Sequence, residues 1–543
     1  MATGRFVVTR PDNEPILSYA PGSVERKTLK AELERQMKES VEMPCFIAGE
    51  EVRGVETKDA VCPHDHSHVL GRFHVAGPKE VDSAIDAALT AQKDWAQKPW
   101  YDRVAVFLRA ADLLAGKYRH VLNAATMLGQ GKNAFQAEID SACELIDFLR
   151  FNAHFASEIY SEQPASVPGE WNRMDYRPLE GFVFAVTPFN FTAIAGNLPS
   201  APAIMGNTVV WKPASSAVYS AHYIMQILRE AGLPPGVINL VYGSGREIGD
   251  RVLTHPDLAG VHFTGSTEVF RHMWRTVGEN IATYRSYPRL VGETGGKDFV
   301  LVHRTADLDA TATALSRGAF EYQGQKCSAA SRAYVPKSIW PDLWEKLSRQ
   351  LESMSVGPPT DFSNFINAVI DEKAFESITE YIEFAREASD AEIIFGGDYD
   401  DSTGYFIEPT VIVTENPKFK TMCEEIFGPV LTIMPYDGDD YEATLRVADE
   451  ASPYALTGSV MARDRDAIEL ALSELRGAAG NFYINDKPTG AVVGRQPFGG
   501  ARASGTNDKA GSRWNLMRWV SPRTIKENFV PPGDYRYPFM DEA

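Results

Sequence analysis

Apolar residues from Pro78 to about Tyr160 recur at helical spacing. Val81, Ala84, Ile85 and Ala88 stand at i, i+3, i+4 and i+7, and later helices are expected to contain Val104–Ala115 and Ala137–Ala156. From Gly181 the period changes. Short apolar runs at Phe182–Val186, Asn207–Trp211, Val237–Tyr242, Gly260–Thr264 and Phe299–His303 read as strands. Ser216–Ala231 reads as a helix between two of them, stopped by Gly232 and Pro234. This alternation predicts an α/β fold: a parallel sheet with helices on both faces and ligands at the carboxyl ends of the strands. A second α/β run starts after Gly296 and reaches about Gly505, with strands at Ala333–Val335, Val411–Val413 and Val430–Met434. Residues 1 to about 40 form a polar arm ending in a helical stretch, Lys27–Ser40, and residues 42–75 suggest short strands broken by Gly and Pro. The tail from Asn507 is rich in Trp, Arg and Tyr. With the hairpin-like region Tyr160–Arg177 it suggests contacts in at least a dimer.

At 543 residues the chain exceeds one core, so two or three domains are expected. No apolar run approaches the ~18 residues of a membrane-spanning helix. The net charge of −19 argues against nonspecific nucleic-acid binding. Cys45, Cys62, Cys143, Cys327 and Cys423 are odd in number and widely scattered, which fits a reducing compartment. The N-terminus has no apolar signal core and meets Asp12 and Glu14 early, so a cytoplasmic location is expected, although a processed mitochondrial chain would look similar.

One cysteine stands apart. Cys327 lies in Gly324-Gln-Lys-Cys-Ser-Ala-Ala-Ser-Arg332, after a segment that reads as a helix, Asp309–Tyr322. Lys326 beside it is expected to favour the thiolate. Upstream, Glu293 sits in the glycine-rich Val291–Lys297 and offers a general base. A different cluster, Cys62-Pro-His-Asp-His-Ser-His68, would put Cys62, His64, His66 and His68 on one face of a strand. Remote from the other motifs, it reads as a solvated turn, and no metal site is expected.

Glu293-Thr-Gly-Gly-Lys297 and Gly324-Gln-Lys-Cys327 at this interval resemble the aldehyde dehydrogenase superfamily, and the resemblance covers the chain from about residue 42. It implies a Rossmann-type cofactor domain (42–158 and 178–295), an α/β catalytic domain (296–506) and a small β oligomerisation flap (159–177 and 507–543), after an N-terminal arm (1–41). It implies Cys327 as nucleophile, Glu293 as base for water, and Asn190, in Thr187-Pro-Phe-Asn-Phe191, as oxyanion donor beside the Cys327 N–H. Lys212, in Trp211-Lys-Pro, is implied to meet the adenosine ribose of NAD. Ser215 stands where many relatives carry Glu, which leaves preference between NAD and NADP open. Thr187 and the run Gly265-Ser266-Thr267-Glu268-Val269 are implied to line the cofactor site, the latter at the pyrophosphate. Glu425 and Phe427 of Glu-Ile-Phe-Gly-Pro would hold the nicotinamide ribose and ring. Gly243-Ser-Gly-Arg-Glu-Ile-Gly249 is one residue too long for Gly-x-Gly-x-x-Gly and is assigned no pyrophosphate.

The run Phe498-Gly-Gly-Ala-Arg-Ala-Ser-Gly-Thr-Asn-Asp-Lys509 is similar to the branch of that family that oxidises L-glutamate γ-semialdehyde. The likeness implies a small-molecule substrate whose carboxylate meets Ser328 and the N–H groups of Gly490 and Ala491. Phe191 and Phe498 would flank its aliphatic part, with Glu144 and Lys326 near its charged groups. Another semialdehyde substrate, a silent scaffold and an esterase are the competing readings. A homodimer or larger assembly is expected, and a partner proline dehydrogenase remains open.

Overall fold

The computed structural model describes residues 6–541. Its first sheet has seven strands, in the order Arg289–Glu293, Leu258–Thr264, Phe182–Thr187, Thr208–Pro213, Ile238–Leu240, Cys45–Ile47 and Glu50–Val52. The first five are mutually parallel, and the last two add antiparallel at the edge. Phe182–Ala185 is buried at every position because helices cover both faces, so the run reads as continuously apolar. The Pro78–Gln97 helix buries Val81, Ala84, Ile85, Ala88 and Trp95. Its start is fixed by Pro78 and by Glu80, whose carboxylate accepts from the Gly77 N–H at 2.8 Å.

A second seven-stranded sheet runs Ala391–Phe395, Thr410–Thr414, Val430–Tyr436, Ala330–Pro336, Asp298–Val302, Thr457–Met461 and Asn481–Ile484. All its pairs are parallel except the first. Separate apolar clusters pack on its two faces. The fold is thus the expected α/β class with a Rossmann-like sheet and a second α/β unit.

Several details differ from the sequence reading. Glu293 does not sit in a turn but ends a strand, Arg289–Glu293, which two small or charged neighbours had hidden. The hairpin-like region is no hairpin: Glu170–Pro178 pairs antiparallel with Val520–Asn528 from the far end of the chain. The tail is also not purely an outward element, because Leu516, Trp519 and Val520 join the core of the first sheet. The arm is anchored likewise, through Tyr19, Leu29 and Leu33.

The Cys62–His68 segment is not a solvated turn. It is the tip of a hairpin (Thr57–Cys62 with Asp65–His74), and Cys62 and His64 are buried. The tip docks on the 401–405 loop: the His66 and Tyr405 N–H groups donate to the Thr403 and Pro63 carbonyls at 3.0 and 3.1 Å. No cluster of ligands suited to a metal occurs among the described residues.

Candidate active site

The parallel strands of the first sheet deliver Thr187, Lys212, Thr264 and Glu293 to one edge, their carboxyl ends, where α/β sheets bind ligands. Thr264 lies in register with Glu293, and Val186 with Lys212. Lys212 is buried, and its amine has no hydrogen-bond or ion-pair partner among the described residues. Burial alone pushes that amine down to about 8. A buried donor without an acceptor is costly, so this site fits a ligand bearing hydroxyls. Gly245 lies beside it, since a Cβ there would stand 3.6 Å from Lys212 Nζ. The glycine-rich segment set aside above therefore borders this end of the cleft. Ser215, two residues past Pro213, is exposed.

Ser266 caps the Thr267–Glu279 helix by accepting from the Val269 N–H, and the Gly265 N–H donates to the Glu293 carbonyl at 3.2 Å. The N–H groups of Thr267 and Glu268 open the helix and remain available to an anion. Thr187 is partly spent on structure: its hydroxyl accepts from Trp211 Nε1 at 3.0 Å. Together these features fit a dinucleotide, with Lys212 at a ribose and the Gly265–Val269 helix start at the phosphates.

Cys327 sits in a turn between a helical segment and the Ala330–Pro336 strand, and it is half-buried. The helix preceding it is Leu308–Phe320, after which Glu321–Gly324 tightens into a 3₁₀ turn. There Tyr322, Gln323 and Gly324 all take positive φ (54°, 55° and 66°). Two non-glycine residues in that region store strain, which the surroundings must hold. Gln323 Nε2 donates to the carbonyls of Gly131 and Ala368, each at 2.9 Å, and its Oε1 accepts from the Asn367 N–H at 3.0 Å. Gly324 admits no side chain, because a Cβ would stand 2.1 Å from the Gly428 carbonyl oxygen. The Glu425–Pro429 segment is thereby pressed against the nucleophile loop.

Asn190 donates from Nδ2 to the Gln325 carbonyl at 3.0 Å, two residues before Cys327. An amide NH₂ has two protons, so one remains for a ligand. The Asn190 loop is itself fixed by residues the sequence reading passed over. Asp140 accepts from the N–H groups of Thr192 and Ala193 at 3.0 and 2.9 Å, capping the helix that follows Asn190. Lys132 pairs with Asp140 at 2.7 Å, fully buried, and its ammonium lies 4.2 Å from the Phe191 ring centre. The polar break Gly129-Gln-Gly-Lys-Asn133 between two helices was the signal available for Lys132.

Glu293 Oε2 accepts from the Gly500 N–H at 2.7 Å. Burial raises its carboxyl well above the ordinary range; that N–H and the Lys509 ammonium oppose the rise, while Asp508 adds to it. Lys509 was missed as a member of the site. It takes φ 54° and donates to the Gly480 and Gly499 carbonyls at 2.7 and 3.2 Å. The Cys327 thiol is pushed up by burial first, then by the carboxylates of Asp298, Glu425 and Glu293. Lys326 does not oppose this: its ammonium is paired with Glu321 at 2.9 Å, both buried. The expected thiolate-favouring role of Lys326 is therefore corrected.

Glu425 Oε1 accepts from the Gly296 N–H at 2.9 Å, and burial raises its carboxyl to about 7. Phe427 takes φ 62°, and its ring meets Phe189 edge-on at 5.7 Å. On the other side of the cleft, the Ser328 hydroxyl meets Thr489 Oγ1 at 2.8 Å. That contact ties the Cys327 turn to the Gly490–Ala491 loop. Gly490 needs its glycine at φ 95°. Phe498 bridges to Ala510. Glu144 ends a π-helical turn, Glu138–Glu144. Burial raises its carboxyl to about 8, with Asp140 adding and Lys132 opposing. Its side chain is half-buried.

The arrangement of a half-buried cysteine, an amide donor, a carboxylate and a cleft that fits a dinucleotide defines an aldehyde-oxidising site. Residues 51–525 match the aldehyde dehydrogenase family, and the chain belongs to it. The chain is 52% identical to the mitochondrial delta-1-pyrroline-5-carboxylate dehydrogenase of Dictyostelium discoideum, over 99% of this chain and 97% of that one. The delta-pyrroline-5-carboxylate dehydrogenase of Mycobacterium tuberculosis, bound with NAD, superposes with a TM-score of 0.96 at 54% identity, covering all of both chains. Proline utilization A from Bdellovibrio bacteriovorus matches at 30% identity and a TM-score of 0.92, covering 97% of this chain and 54% of that longer one.

Proposed function

We propose that the protein oxidises L-glutamate γ-semialdehyde, the open form of 1-pyrroline-5-carboxylate, to L-glutamate with NAD, the second step of proline catabolism. The observation that carries this reading is the tie from Ser328, next to Cys327, to the Thr489–Ala491 loop. It supports a carboxylate anchor one residue from the nucleophile. Neither the Gly490 nor the Ala491 N–H donates to another residue among the described residues, so both are free for an anion.

Cys327 Sγ adds to the aldehyde carbon, and its proton passes to Glu293. The new oxyanion is received by the free Nδ2 proton of Asn190 and by the Cys327 N–H. Lys212 and the Gly265–Val269 helix start would hold NAD, which would supply the hydride acceptor as the Cys327 adduct becomes a thioester. Glu293, reset by losing its proton to solvent, then takes a proton from water. The hydroxide adds to the thioester and expels the Cys327 thiolate, and glutamate leaves. Phe191 and Phe498 flank the aliphatic stem, and Glu144 faces the ammonium.

The test is NADH formation with 1-pyrroline-5-carboxylate, succinate semialdehyde and butanal, for wild type and Cys327→Ala. Strong Cys327-dependent turnover of the first alone supports the reading. Equal turnover of the other two overturns the substrate assignment.

The Glu170–Pro178 and Val520–Asn528 ribbon carries exposed Trp171 and leads into exposed Phe529 and Val530, which supports a homodimer or larger assembly built on it. Trp171→Ser with Val530→Asp would then lower the mass measured by light scattering. The five free cysteines support a reducing, cytoplasmic setting. In proline utilization A a segment like this chain is part of a longer polypeptide, which supports a proline dehydrogenase as a partner. Co-purification of the two enzymes tests that association.

A further inference from the structure

The N-terminal arm crosses the molecule to the loop that follows the carboxylate anchor. Asn13 Nδ2 donates to the Val493 carbonyl and to Asp147 Oδ2, each at 2.8 Å, while its Oδ1 accepts from Arg495 Nε at 2.9 Å. Arg10 Nη2 donates to the Gly494 carbonyl at 2.9 Å. Two arm residues thus hold three consecutive loop residues, 493–495. From this we propose that Asn13 is a positioning residue for substrate binding, clamping the loop that carries the Gly490 and Ala491 N–H groups.

The clamp has a fixed side. The Glu14 N–H donates to Asp147 Oδ1 at 2.8 Å, and Glu14 pairs with Arg119 and Arg150, each at 2.6 Å. The Leu17 N–H and the Tyr19 hydroxyl donate to the buried Glu138 at 2.9 and 2.8 Å. Upstream, the Val8 N–H donates to Ser157 Oγ at 3.1 Å. The arm is therefore bound to the Leu145–Ser161 helix on both sides of Asn13.

The loop side is short and stiff. The Arg495 and Gln496 N–H groups both donate to the Val492 carbonyl at 3.0 Å, closing a turn directly after Ala491. Gly494 takes φ 79° and lies so close to the helix that a Cβ would stand 2.2 Å from Phe151. Val493 is buried. A turn pinned at Val493 transmits its position to Ala491 across one residue. Among the described residues the Gly490 and Ala491 N–H groups donate no hydrogen bond of their own, so the precision of the anchor comes from its two sides, the Ser328–Thr489 contact and this clamp.

This inference rests on the anchor reading above. The experiment compares Asn13→Ala, and separately Arg495→Met, which breaks the same clamp from the loop side, with wild type. Substrates are 1-pyrroline-5-carboxylate and butanal, which has no carboxylate. Folding is followed by circular dichroism. The expected result is a KM for 1-pyrroline-5-carboxylate raised about tenfold in both variants, with its kcat, the KM for NAD and butanal turnover held within about twofold. The double variant is expected to match either single one, because both break one clamp. An unchanged KM, or an equal loss with butanal, overturns the positioning role. If wild type turns over butanal as efficiently as 1-pyrroline-5-carboxylate, the anchor reading falls and takes this inference with it. If wild type discriminates and Asn13→Ala does so by the same factor, the clamp alone falls.

Discussion

Asn190→Ala separates two jobs done by one side chain. In the structure one Nδ2 proton is given to the Gln325 carbonyl at 3.0 Å, and the other has no partner among the described residues. The alanine variant removes an oxyanion donor, worth about 2.7–4 kcal/mol, so kcat should fall about 10²–10³-fold. It also leaves the fully buried Gln325 without that partner for its carbonyl, which should cost about 1–3 kcal/mol of stability. The two losses are read independently. Single-turnover formation of NADH, well below the unfolding transition, reports hydride transfer, and urea denaturation reports stability. Asn190→Asp keeps the volume but replaces the donor by an acceptor and should be slowed at least as much. A folded Asn190→Ala enzyme within about tenfold of the wild-type rate would refute the oxyanion role. A large loss of stability with an unchanged rate would assign Asn190 to the nucleophile loop alone.

Three further outcomes are expected. Ser215→Glu places a carboxylate where a 2′-phosphate would approach, costing that ligand about 1 kcal/mol or more, so KM for NADP should rise about tenfold with KM for NAD nearly unchanged. Lys509→Met removes the cation that offsets burial at Glu293, leaving only the Gly500 N–H against burial and Asp508. The carboxyl then rises further, so the acid limb of the kcat–pH profile should move to higher pH, and Lys509→Arg should restore it. Lys132→Met leaves Asp140 as an unpaired buried carboxylate, and the denaturation midpoint should report a loss of about 3–5 kcal/mol.

Much of the fold was legible because parallel strands covered on both faces spell themselves as unbroken apolar runs, as Phe182–Ala185 does. The motif residues were legible for a different reason. Steric need writes Gly295 and Gly296 into the chain, since a Cβ on Gly296 would stand 2.3 Å from the Cys327 carbonyl oxygen. What stayed hidden depends on where side chains go. Lys326 is adjacent to Cys327 in sequence, yet its four-carbon stem carries the charge to Glu321. Histidines near the Cys62 hairpin looked like ligands because sequence shows spacing, whereas their surroundings come from the distant 401–405 loop. Asn13 carries no local signature, because its loop partners lie hundreds of residues away, and Lys509 stood in a recognised run whose irregular, positive-φ backbone hid its place beside Glu293.

The burial of Trp519 has a consequence for synthesis. Its carbonyl accepts from Asn207 Nδ2 at 2.8 Å, and Arg289 donates to the Met517 and Arg518 carbonyls. The first sheet therefore cannot seal its core until nearly the whole polypeptide has left the ribosome, although its strands are made early. The second sheet spans one uninterrupted stretch from Asp298 to Ile484 and can close while translation continues. During that interval the nascent chain carries an open apolar surface from its first half. A stop codon just ahead of Leu516 would thus leave the nucleophile loop's own sheet complete but strand the cofactor half unfinished, turning a small truncation into a quality-control problem for the cell.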